Sequence, residues 1–273
     1  MAESTDPSEP HGFSGHASLA RRLCRVVPSL STQALRMAYV RSVWIESDSS
    51  EFAWAIDAVC EWSKARDKRA QEVMLAFAAL LHEPSLRCRI ESLRHDAEQG
   101  KLGSLGSLLP SGEDSKKEQS RGEVDERHVP DYGYGRPLTL GERKSTARRP
   151  SRRQLDRLLA DPHPSVILNL LNNSITTEDD VVRLAAKRPL RHEIMKEIAR
   201  HPKWNVRRRV RLALVLNPGC PPELGIPLVE LALRSELRTV MERTEIHPDI
   251  RRAALARLGE GRSDAHGDGS KKS

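Results

Sequence analysis

The chain has 273 residues, of which 38% are hydrophobic and 30% charged, with a formal net charge of +7. Its longest apolar run, Met74 to Leu81, is eight residues, far short of the roughly 20 that a bilayer-spanning helix needs, and no basic segment followed by an apolar one opens the chain, so neither a membrane span nor a secretory signal is expected. The four cysteines, Cys24, Cys60, Cys88 and Cys220, are widely scattered with no metal-ligand spacing, which excludes a disulfide framework and a zinc site and points to a reduced, cytoplasmic protein.

Residues 1–15 are polar, rich in Ser, Glu, Pro and Gly, and carry no periodicity; they are expected to be disordered. From 16 to 99 apolar residues recur at helical spacing. Leu19, Leu23 and Val26 form one stripe, and Phe52, Ile56, Val59 and Cys60 a second. Ala70, Val73, Met74, Phe77 and Leu81 form a third, and Leu86, Ile90, Leu93 and Ala97 a fourth. Asp67 is placed to cap the third helix, and Glu83-Pro84 to open the next. These stripes predict a small N-terminal bundle of about five helices. His82-Glu83-Pro84-Ser85-Leu86 echoes His163-Pro164-Ser165-Val166 further on, hinting at a shared repeat. Residues 100–131, with Gly100, Gly103, Gly106, Pro110 and Gly112 followed by a charged polar run, have the composition of a flexible linker and mark a domain boundary.

Residues 132–259 are self-similar. Arg149-Pro150 recurs as Arg188-Pro189, and Asp161-Pro162 with Val166 recurs as His201-Pro202 with Val206. Asn173 recurs as Asn217, and His163-Pro164 with Val166 as His247-Pro248 with Ile250. The period of about 40 residues is that of stacked helical repeats, in which one unit cannot bury its apolar face alone. Helix starts are expected near Thr139, Ser151, Pro164, Thr177, Arg191, Lys203, Pro221, Ser235 and Pro248. Proline is at home in a helix's first turn, and Asn173 and Asn217 fall where a left-handed C-cap is wanted. Leu155, Leu158, Ile167, Leu170, Leu184, Ile198, Val206, Val210 and Leu224 are among the expected core positions. The expected fold is therefore all-α: the bundle, a flexible linker and a C-terminal solenoid of short helical repeats, with a disordered tail at 260–273.

Asn217-Pro218-Gly219-Cys220-Pro221-Pro222-Glu223-Leu224, preceded by His201-Pro202 and Val206-Arg207, resembles the leucine-rich repeat variant, a bacterial family related in style to HEAT and armadillo repeats. The copy from 161 to 184 keeps Asp161-Pro162, Val166, Asn173 and Asp179 but lacks the Asn-Pro and Pro-Pro steps. The resemblance implies a right-handed α-solenoid over about 110 residues, less than half of the chain, and a binding surface rather than an activity. Some family members carry an iron–sulfur cluster on an N-terminal cysteine group; this chain has no such group, so no cofactor is expected.

Between 136 and 258 there are 25 Lys and Arg against 14 Asp and Glu, a net of +11, which leaves −4 for the rest of the chain. That asymmetry raises the prospect of a polyanionic partner, although solvated faces or internal ion pairs explain it equally well. The candidate binding residues are Arg149, Arg152, Arg153 and Arg157 at near-helical spacing, Arg207 and Arg211 on one stripe of the run 207–211, and Trp204, Tyr132 and Tyr134. The tyrosines, in Tyr132-Gly133-Tyr134-Gly135, suit a cap over the open end of a solenoid better than a base-stacking platform, and Trp204 suits packing on the preceding repeat. His163, His201 and His247 recur as turn residues one repeat apart, too far to share a metal ion. No phosphate loop, metalloprotease helix or nucleophile elbow is present, so neither catalytic nor metal residues are expected. The expected function is a non-enzymatic scaffold for a protein partner. A DNA- or RNA-binding repeat protein is the alternative, and a HEAT-like DNA glycosylase a remote one.

Overall fold

The structure, a computed structural model, describes residues 13–109 and 129–263. It is all-helical, with no strand among the described residues, and divides into two units, residues 1–108 and 109–273. No helix among the described residues is long and apolar enough to cross a membrane.

In the first unit α1 (Phe13–Val26), α2 (Gln33–Glu46), α3 (Ser49–Lys64), α4 (Lys68–Leu80), α5 (Arg87–Gln99) and α6 (Gly103–Leu108) follow in order. The start of α1 lies inside the stretch expected to be disordered, residues 1–15; the rest of that stretch, 1–12, lies outside the described residues. Helix α3 is the hub and packs against α1, α4, α5 and α6. It buries Phe52, Ala53, Ala55, Ile56, Val59 and Cys60. At its start Trp44 stacks on Phe52 at 5.2 Å between ring centroids, and Phe77 tilts against both. Asp67 caps α4 as the sequence predicts, its carboxylate accepting from the backbone N–H groups of Arg69 and Ala70 at 2.7 and 3.3 Å.

The expected linker begins too early. Residues 103–108 form α6, and Leu102, Leu105 and Leu108 are buried. Asp57 of α3 accepts from the backbone N–H of Leu105 at 2.8 Å, and Lys64 donates to Ser104 at 2.8 Å. Three leucines at threes spaced among glycines are a helical stripe that glycine content masks. Residues 110–128 of that linker lie outside the described residues. The echo of 82–86 in 163–166 is not carried into geometry. His163 caps its helix through Nδ1, whereas Glu83 makes no side-chain cap and Pro84 opens a 3₁₀ turn.

The second unit consists of nine helices among the described residues. They are α7 (Leu140–Arg148), α8 (Arg152–Leu159), α9 (Pro164–Leu171), α10 (Glu178–Ala185), α11 (His192–Arg200), α12 (Arg208–Val215), α13 (Pro222–Glu230), α14 (Arg234–Glu242) and α15 (Pro248–Ser263). Thr139, Ser151 and Thr177 begin capping boxes with Glu142, Gln154 and Asp180. The start expected at Lys203 falls instead at Arg208, because residues 201–207 form a turn rather than a first helical turn. The tail expected to be disordered from 260 continues α15 to Ser263; residues 264–273 lie outside the described residues.

Every helix packs on at least one chain neighbour, and several also on the next but one: α7 on α9, α9 on α11, α10 on α12, α13 on α15. One continuous core runs through all nine, from Tyr132 and Leu138 to Ile250 and Ala254. Of the expected core, Val206 is only half-buried, while Leu214 and Val215, not among the positions named, are buried. The two asparagines expected as left-handed caps are not left-handed; among the described residues only Arg66 and Lys101 have positive φ outside glycine.

Gly225 sets the closest helix approach. A Cβ there would lie 2.2 Å from Cδ1 and 2.7 Å from Cγ1 of Ile250, so α13 and α15 meet across a missing side chain. Gly225→Ala is expected to cost about 1–3 kcal/mol through overpacking, despite the roughly 1 kcal/mol that alanine gains in a helix. Combined with Ile250→Val the cost should shrink in a double-mutant cycle measured by urea unfolding. Strict additivity of the two changes would show that they do not touch.

Candidate functional site

A short helix leaves its last four carbonyls without intrahelical donors. In the second unit, side chains from well downstream satisfy them. Asn173 donates to the Arg148 carbonyl at the end of α7 at 2.7 Å, 25 residues back. Lys187 donates to Ala160 after α8 at 3.0 Å, 27 residues back. Trp204 Nε1 donates to Leu171 at the end of α9 at 2.9 Å, 33 residues back. Asn217 donates to Ala185 and Lys187 after α10 at 2.7 and 2.9 Å. The oxygens of Asn173 and Asn217 meanwhile accept from the N–H two residues on, in Ile175 and Gly219. This double role explains the recurrence of asparagine without a left-handed cap.

The recurrent histidines follow the same logic. Nδ1 of His163, His201 and His247 accepts from the backbone N–H two residues on, at 3.1, 3.2 and 3.3 Å. Each is a turn acceptor, and each is held as the tautomer with its proton on Nε2. In His201 that nitrogen donates to Asn172 Oδ1 at 3.1 Å. Among the described residues no three His, Cys, Asp or Glu side chains gather as a metal site would require. Burial first, and Lys203 second, push the His201 imidazole down to about 4.

At the N-terminal end of the unit lies a buried charge pair. Arg143, 0% exposed, and Asp161, 1% exposed, meet at 3.0 Å. Asp161 also accepts from the Tyr132 hydroxyl at 2.6 Å and from the His163 N–H at 2.8 Å. Burial first, then the bond to Asp161, drive the Tyr132 hydroxyl far above its usual range, so it stays a donor. Asp161 and His201 thus do one job: each accepts the N–H two residues on and ties its turn to an earlier part of the chain, Asp161 to Tyr132 and Arg143 and His201 to Asn172.

Three candidate binding residues are removed from the surface. Trp204 is 2% exposed and its only donor is used on Leu171, so it faces no ligand. Tyr132 is buried over the end of the core. Arg211 is half-buried and donates to the Asn205 carbonyl at 2.6 Å; burial pushes it down to about 10. Arg207 and Arg211 therefore present no common stripe.

The remaining arginines divide into two sets. Arg207 approaches Glu178 at 3.9 Å, Arg208 pairs with Glu236 at 3.1 Å, and Arg209 with Asp179 at 2.7 Å. Arg152 pairs with Asp180 at 3.0 Å, and Arg183 bridges Asp156 and Asp180. Burial acts to raise the Asp180 carboxyl, but bonds from Thr177, Arg183 and Arg152 outweigh it and hold it far below the usual range. Sequence reasoning sees the acids at 178–180 as dipole complements to their own helix. It does not see that they face the arginine run, because the pairs join residues about one helix-pair apart. The second set, Arg149, Arg153 and Arg157, is exposed, as is Tyr134 at 55%.

Compared with known proteins, the chain matches no family model, no curated protein and no solved structure.

His201 sets a pH dependence. Its pKa is about 4 in the fold against an ordinary 6.5, so the unfolded chain binds a proton that the fold does not between those values. Stability should fall as pH drops from about 6.5 to about 4, by up to about 3 kcal/mol. Burial likewise lowers His192, which acts in the same direction. His201→Asn keeps an acceptor for the Lys203 N–H without a titrating ring. Its urea midpoint should vary less between pH 7 and about 4.5 than that of the wild type; equal slopes would remove His201 as the cause.

Proposed function

We propose that the second unit is a right-handed α-solenoid of HEAT-like repeats with a period of about 40 residues, and that the protein is a non-enzymatic scaffold or adaptor whose repeat surface binds a protein partner. The observation that carries this is the recurrent reach of its cross-links. Side-chain bonds to helix ends span 25, 27, 30, 32 and 33 residues, and the ion pairs of Arg152, Arg208 and Arg209 span 28, 28 and 30, while Arg143–Asp161 at 18 and Arg188–Glu245 at 57 depart from this. Packing mainly between chain neighbours and helices next but one is what a stacked repeat would give. Such an array presents many equivalent surface turns on a rigid support, and supports recognition better than it supports a single reactive centre.

A protein partner is favoured over nucleic acid by the fate of the arginines. A phosphate-tracking surface needs a continuous row of available cations. Here Arg152, Arg207, Arg208 and Arg209 face carboxylates instead, and the surface around them is a mixed-charge lattice. The buried Trp204 removes the aromatic residue on which a glycosylase reading would lean.

The test is a pair of measurements on the full chain. The protein is used as bait and each captured protein is purified and reconstituted with it; labelled duplex DNA and single-stranded RNA are titrated separately at low and physiological salt. A stoichiometric complex that survives moderate salt, with nucleic-acid binding confined to low salt, is expected. Nucleic-acid binding that persists at physiological salt with a log–log slope of about −4 or steeper, or turnover on a damaged duplex, would replace this assignment.

A further inference from the structure

Arg148, Arg149, Arg153 and Arg157 are all exposed. Among the described residues no carboxylate lies within ion-pairing distance of any of them, in contrast to Arg136, Arg152, Arg183, Arg188, Arg207, Arg208 and Arg209. Many of the unit's other exposed arginines are paired; besides these four, Arg238 and Arg243 are exposed with no carboxylate of the described residues within ion-pairing distance.

The segment 132–134 runs alongside α8, which carries Arg153 and Arg157. Tyr132 is anchored beneath by Asp161. Gly133 follows at φ 81°, a left-handed conformation that favours glycine, and the Arg157 guanidinium lies over it, Nη1 being 2.4 Å from where a Cβ would stand. Tyr134 then lies against α8, its hydroxyl accepting from Gln154 Nε2 at 2.8 Å. Arg153 is the chain neighbour of Gln154, and Arg157 shares its helical stripe at i, i+4. Arg153 also sits in the first turn of α8, where the helix dipole disfavours a cation and favours an anion. An anionic ligand would relieve that opposition and meet two guanidiniums at once.

We propose that Tyr134, Arg153 and Arg157 form a docking site for a short acidic segment of the partner protein, carboxylates on the arginines and a backbone stretch or apolar side chain against the tyrosine ring. The site rests on the scaffold function above and specifies its partner. Arg153 and Arg157, one turn apart on α8, span about 6 Å at helical rise, the length of about two extended residues, which a short segment matches. Asp156, between them in the chain, and Asp179 are both well exposed and break the continuous cationic row that a nucleic-acid backbone would follow. Tyrosine and arginine together are also the side chains that concentrate binding energy at protein interfaces.

The experiment uses the full chain, a fluorescein-labelled hexaglutamate peptide, and labelled single-stranded and duplex DNA of about twelve units, followed by anisotropy at physiological salt. Hexaglutamate should bind, and Arg153→Glu with Arg157→Glu should weaken it about tenfold or more. Tyr134→Ala should weaken it several-fold. Arg238→Glu with Arg243→Glu, the same charge change placed elsewhere, should leave it within about twofold. Arg153→Gln with Arg157→Gln gives the same direction of loss without new carboxylates, should the glutamate pair perturb folding. No peptide binding by the wild type, equal loss in the charge-matched control, or DNA bound as tightly as the peptide would overturn the site. A reconstituted partner held equally by wild type and the Arg153/Arg157 variants would also overturn the site while leaving the scaffold function standing. Failure to capture any partner with the wild type counts against the scaffold itself.

Discussion

Helices of eight or nine residues cannot satisfy themselves. Helices α8, α9, α10 and α12 have eight residues each and α11, α13 and α14 have nine. With four carbonyls orphaned at each C-terminus, close to half of the acceptors in every helix look outside it. Isolated helices this short are unstable in water, so the second unit depends on what those carbonyls find. They find Asn173, Lys187, Trp204 and Asn217, each from the turn after the next helix but one. The apolar faces are buried by the same stacking that delivers the caps. Removing either would expose the other.

From this constraint follows the division of labour among polar residues. Turn side chains face two ways, accepting from their own backbone and donating to, or anchoring against, the previous layer. Asparagine, aspartate and histidine are interchangeable at these turns because each offers an acceptor at the right distance from the main chain. The arginines, in contrast, pair across the surface. Arg207, Arg208 and Arg209 point to different carboxylates because consecutive positions on a helix are about 100° apart. Ion pairs this exposed contribute little individually; their consequence is to offset positive charge locally, while Arg149, Arg153 and Arg157, like Arg238 and Arg243 further on, stay exposed without such a partner among the described residues.

The helix starts were largely legible in the sequence. Thr139, Ser151, Pro164, Thr177, Arg191, Pro221 and Pro248 all stand at or next to an observed start, because a cap is local chemistry: a hydroxyl, a proline or a carboxylate within a few residues decides it. The failures have physical causes too. Lys203 follows a proline as other starts do, but His201 and Trp204 commit the next residues to capping α9, so the helix waits until Arg208. The glycines at 100–106 read as linker, but Leu102, Leu105 and Leu108 had a partner in α3 that local composition does not reveal.

By itself the sequence determined that the protein is all-α, where most of its helices begin and which stripes they bury, since periodicity and capping are properties of neighbouring residues. Only the tertiary structure decided which charged and aromatic side chains remain available. Trp204, Tyr132 and Arg211 are consumed inside and the run at 207–209 is paired, while Arg149, Arg153, Arg157 and Tyr134 stay exposed. Exposure depends on partners about 30 residues away along the chain, and no local pattern carries that distance.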